Sequence, residues 1–74
     1  MKLNEMAEEY RAGARAIYGR LAELRETALR EPSREERFRL NRRIAVLSGM
    51  YRDTCLTALY LEHYYEEKEA RRSA

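Results

Sequence analysis

Apolar residues recur along this chain in alternating steps of four and three. The first series is Leu3, Ala7, Tyr10, Ala14, Ile17, Leu21, Leu24 and Ala28. The second is Leu40, Ile44, Leu47, Tyr51, Thr54, Ala58, Leu61 and Tyr65. Such spacing keeps one side of an α-helix apolar over many turns. No stretch alternates with a period of two, and Ala, Leu, Arg and Glu dominate, so strands are not expected.

The single proline, Pro32, separates the two series. Its ring disfavours helical geometry at Glu31. Ser33 can cap the next helix, and Glu36 stands three residues on, as a capping box requires. The chain therefore reads as one all-α domain, residues 1–74, folded as an antiparallel αα-hairpin. Helix 1 is expected over about residues 4–30, with Asn4 as its cap. A turn follows over 31–33, then helix 2 over about 34–70 and a frayed end over 71–74. Folding at the turn sets Leu21 near Ile44, Ala14 near Tyr51, Tyr10 near Thr54 or Cys55, and Leu3 near Leu61. Helix 2 is longer, and its turns from Glu62 on are expected to extend past the start of helix 1.

Helix 2 carries a second apolar stripe opposite the first: Ala45, Val46, Gly49, Leu56, Leu59, Tyr60 and His63, interrupted by Arg52 and Asp53. From Cys55 to Tyr65 it is apolar nearly all round. A helix of that kind needs cover on more than one face. Gly49 in a helix interior costs about 1 kcal/mol relative to Ala, which calls for a packing reason such as a close neighbour. Chains of this size usually need a staple. The single cysteine excludes an internal disulfide, and one Cys with one His cannot make a structural zinc site. Association remains. The expected assembly is a homo-oligomer, a dimer first, in which two hairpins form a four-helix bundle through helix 2. The interface residues are Val46, Gly49, Leu56, Leu59, Tyr60, His63 and Tyr64.

Charge refines the picture. The net charge is +2, too even to require nucleic acid. The start of helix 2 is basic (Arg34, Arg37, Arg39, Arg42, Arg43) and its end acidic (Glu62, Glu66, Glu67, Glu69). Two such helices running in opposite directions about Arg52 set one block against the other, with Val46 near Leu59 and Gly49 near Leu56. The plainer reading is two solvated blocks held by local pairs such as Glu35–Arg39 and Glu67–Arg71. The Arg-rich hairpin tip also offers a phosphate contact through Arg34, Arg39, Arg42 and Arg43. That gives a second reading, a small nucleic-acid-associated regulator. A third is an inhibitor or adaptor that holds a larger protein through the C-terminal half of helix 2.

Candidate chemistry is sparse. Cys55, on the edge of the first stripe, reads as a small apolar residue. His63 has Glu66 and Glu67 one turn away, but the order reverses the Glu-x-x-His of bundle metal sites, so neither metal nor cofactor is expected. Tyr10, Tyr51 and Tyr65 fall in the core stripe, which leaves Tyr18, Tyr60 and Tyr64 for a partner. No glycine-rich phosphate loop, Ser-His pair or inward acid pair points to an enzyme. No run reaches the roughly 18 apolar residues of a membrane span. A lone cysteine and an N-terminus without a signal-peptide core point to the cytoplasm.

The segments R-L-N-R-R-I-A-V-L at Arg39 to Leu47 and Y-L-E-H-Y-Y at Tyr60 to Tyr65 give a further pointer. With the two-helix plan, they resemble small uncharacterised helical-hairpin proteins of Firmicute mobile elements and phages. That resemblance implies an accessory or regulatory protein of a mobile element that acts by binding.

Overall fold

In the structure, a computed structural model that describes residues 3–73, the chain is two α-helices. Helix α1 is Leu3–Arg30 and α2 is Arg34–Ser73, and they pack against each other along an all-α hairpin. Asn4 lies inside the first turn of α1, so it is helical where a cap was expected. Helix α2 continues to Ser73, three residues past the expected end. Its last turn carries Arg71 and Arg72, which suit the negative end of the helix dipole.

The turn is built from polar contacts close in sequence. The Glu36 N–H donates to Ser33 Oγ at 3.3 Å, which is one half of the capping box. The other half differs from expectation. The Ser33 N–H donates to the Glu31 carboxylate at 3.1 Å, while Glu36 turns to Arg39. Glu31 stands before the helix and reaches that donor without bending back over the first turn. Arg37 then closes the turn, donating to the carbonyls of Glu31 (2.8 Å) and Pro32 (3.1 Å).

The core is thin. Its buried apolar residues are Ala7, Ala14, Leu21, Leu24, Ala28 and Ala58. Small side chains let two helices approach closely. The second-series residues other than Ala58 are only half-buried. Tyr10, expected in the core, is 41% exposed. One neighbouring helix covers the centre of a stripe but not its edges, and Tyr10 stands at an edge beside Gly13 and Thr54.

Two of the expected pairs stay together: Ala14 and Tyr51 line one groove, and Tyr10 and Thr54 line another. Tyr51 meets Tyr18, nearer the tip than Ala14, and Thr54 lies against Gly13. Side chains lean toward the N-terminus of their own helix. In an antiparallel pair, Tyr51 therefore leans toward the tip and Tyr18 away from it, so their rings converge. The expected contact of Leu3 lies outside the described side chains. The overhang is also shorter than expected. Glu62 pairs with Arg11, and Glu62, Tyr65 and Glu66 share a cleft with Asn4, Glu8 and Arg11. Helix α1 thus flanks α2 as far as Glu66.

The result is a rod of 61 × 16 × 14 Å. Its radius of gyration is 17.3 Å, where a compact domain of this length has about 11 Å. The chain exposes 6041 Å², against about 4,800 Å² for a folded monomer of its mass. Among the described residues, no helix is long and apolar enough to cross a membrane.

Candidate interaction surface

Helix α2 is apolar on two opposite sides. Toward α1 it presents Ile44, Leu47, Tyr51, Ala58 and Leu61, all at least half-buried. Two residues further along from an inward residue, a side chain has rotated by about 200°. Val46 follows Ile44 in this way, and Tyr60 follows Ala58. Val46 and Tyr60 are accordingly 66% and 67% exposed, while Ala58 is 3% exposed. Leu56 and Leu59 stand 57% and 58% exposed. Leaving four such side chains in water forgoes about 25 cal/mol for each Å² of apolar surface.

The outward residues form their own regular seam: Arg42, Val46, Gly49, Asp53, Leu56, Tyr60, His63 and Glu67, again in steps of four and three. Its ends and its middle are charged, and the layers between are apolar or small apart from His63. Phe38, one turn before Arg42, extends it and is exposed. Sequence reasoning passed over Phe38, although it stands four residues before Arg42. It also passed over Met50 and Leu29, both exposed.

Among the described residues, none packs over Gly49. A Cβ built there meets no atom within 4 Å. Gly13 differs, since a Cβ there meets Thr54 at 3.9 Å, an ordinary contact. The space over Gly49 is open on the outer face.

The tyrosines near the end of α2 are arranged along its axis. Tyr60 and Tyr64 stack with centroids 6.4 Å apart and planes 23° from parallel, and Lys68 Nζ lies 5.7 Å from the Tyr64 ring centre. His63 Nε2 is 3.6 Å from Glu67, and the His63 side chain is exposed. Among the described residues, no group of three or more His, Cys, Asp or Glu is placed to hold a metal ion.

A second apolar feature lies on the flank between the helices. A groove of about 610 Å³ is floored by Ala14 and Ala58 and walled by Tyr18, Tyr51, Cys55 and Leu59. Arg11 and Arg15 stand at its rim. Tyr18, assigned to a partner from the sequence, supplies one wall and remains exposed. Cys55 is a free, half-buried thiol. It raises the pKa of the neighbouring Tyr51 phenol above the ordinary 10.0, chiefly through a side-chain hydrogen bond.

The arginines of the tip divide into engaged and unengaged groups. Arg37 is spent on the turn carbonyls, Arg39 pairs with Glu35 and Glu36, and Arg30 pairs with Glu26. Arg34, Arg42 and Arg43 form no ion pair among the described residues. Of the four residues expected to touch phosphate, Arg39 is thus already held by carboxylates. Compared with known proteins, the chain matches no family model, no curated sequence and no solved structure.

Proposed function

We propose that this chain is a non-catalytic helical module that works by associating with a second copy of itself through the outer face of α2. The observation that carries this reading is the two-sidedness of α2. Its inner face is spent on α1, while Val46, Leu56 and Tyr60 stand in water on the opposite side, and Leu59 is exposed on the adjoining flank. The surface excess is of the right size. About 1,200 Å² beyond the expected area exceeds the roughly 800 Å² that each partner gives to a standard interface.

Because the outer face points directly away from α1, association there orders four helices as α1–α2–α2′–α1′. Both α2 helices then lie in the middle of the four-helix assembly, covered on two sides. An accessory or regulatory role fits a module of this kind. The nucleic-acid reading draws on fewer residues, since Arg37 and Arg39 are occupied within the chain.

Light scattering after size exclusion tests the proposal. The native chain should run at twice its 8.8 kDa mass, and Leu56→Glu and Leu59→Glu should run at the mass of one chain with helical content kept. A native mass of one chain at every concentration tested overturns self-association.

A further inference from the structure

We infer that the second copy docks with its α2 antiparallel, about a two-fold axis at Asp53. This rests on the self-association just proposed and names its geometry. Two independent features of α2 share one midpoint. Val46 and Tyr60, the most exposed apolar pair of the seam, lie seven residues either side of Asp53. Arg39 and Glu67 lie fourteen residues either side of it. An antiparallel pair centred there places Val46 level with the partner's Tyr60. Gly49 then lies within one turn of the partner's Leu56 and Tyr60, where its open side admits a bulky neighbour.

The same register brings Arg42 and Arg43 within a turn of Glu66 and Glu67 of the second copy. Among the described residues, Arg42 and Arg43 carry no ion pair, and Glu67 pairs with the exposed His63. At the axis, Arg52 of each copy reaches Asp53 of the other, which accounts for a charged layer in the middle of an apolar seam. A parallel, in-register pair sets Arg42 on Arg42 and Glu67 on Glu67, so like charges meet at both ends of the seam. Apolar burial drives association, and charge selects direction.

Direction is read by electron–electron distance. Nitroxide labels are placed at Asn41→Cys in a Cys55→Ala background. Asn41 is exposed and lies outside the seam. An antiparallel dimer centred at Asp53 separates the two labels by about 36 Å along the axis, at 1.5 Å per residue. A parallel dimer holds them about 10 Å apart. Charge exchange gives a second readout. Arg42→Glu with Arg43→Glu should raise the dimer dissociation constant on the order of tenfold at low salt, as should Glu66→Arg with Glu67→Arg. The chain carrying all four changes should return to within a few-fold of native. A dimer with the short distance, or a fourfold variant as weak as either double, overturns the antiparallel geometry and leaves self-association standing. A native monomer overturns both.

Discussion

Tyr18 of α1 and Tyr51 of α2 meet with ring centroids 5.7 Å apart and planes inclined at 48°. Tilted aromatic pairs at this distance contribute about 0.5–1.5 kcal/mol beyond their burial. In a core made largely of alanine, that contact is among the larger ones joining the helices, and it fixes their relative height.

A double-mutant cycle on this pair should give a coupling of about 1 kcal/mol. Tyr51→Ala and Tyr18→Ala should each lower the thermal midpoint, with Tyr51→Ala the more damaging because its ring is half-buried. Each kcal/mol lowers the midpoint by about 4–8 °C in a domain of this size. Coupling near zero, measured by thermal or denaturant unfolding, removes the pair as the determinant of register.

Alkaline pH should weaken the same contact. The Tyr51 pKa is raised in the fold chiefly by the hydrogen bond its phenol donates to Cys55, then by charge interaction with Cys55, by burial and by Tyr18. The folded state therefore holds the phenolic proton more tightly than the unfolded chain does. The resulting stability is present in full below about pH 10 and is lost as pH rises through the raised value. In a tyrosinate absorbance titration, one of the six tyrosines should ionise late, and Cys55→Ala should bring it back toward the others. No late-ionising group in the native chain contradicts this account.

The buried leucines test how much the thin core carries. Leu21 is 2% exposed, and Leu21→Ala should cost about 3 kcal/mol through lost burial and an unfilled cavity. Most of the stability of a hairpin this small should go with it, visible as loss of helical circular dichroism at moderate temperature. Leu29→Ala, at a solvent-facing position in the same helix, should change stability by less than about 0.5 kcal/mol. Similar losses at both positions contradict the core described.

Two glycines with open space above them should separate folding from association. A Cβ at Gly19 or Gly49 meets nothing within 4 Å among the described residues. Replacement by Ala in a helix gains about 0.5–1 kcal/mol for the hairpin at either position. Gly19→Ala should do only that. Gly49→Ala should also raise the dimer dissociation constant severalfold, since the added methyl stands in the proposed interface. Sedimentation equilibrium of both variants decides, and equal dimer affinity means that no helix comes close at Gly49.

The capping change at the turn is predicted to be small and local. Ser33→Ala removes the acceptor for the Glu36 N–H and should cost about 1 kcal/mol. Glu31→Gln keeps an oxygen acceptor for the Ser33 N–H and should cost less. Denaturant midpoints of the two variants give the comparison, and the reverse order contradicts the assigned donors.

How much of this was legible in the chain depends on the range of the forces involved. Pro32, Ser33 and two series of apolar residues in steps of four and three determine two helices, a turn between them and an antiparallel hairpin. These are local consequences of backbone geometry and burial, and a one-dimensional pattern carries them. The outer stripe of Val46, Gly49, Leu56 and Tyr60 was legible for the same reason. Tertiary structure decided what periodicity cannot express. The lean of side chains along each helix set the ring of Tyr51 on that of Tyr18. A single neighbouring helix left Tyr10 half in water. The competition among nearby carboxylates gave Ser33 to Glu31 and Glu36 to Arg39. Only with the second helix in place did the space over Gly49 prove empty, because emptiness is a property of neighbours and not of a residue.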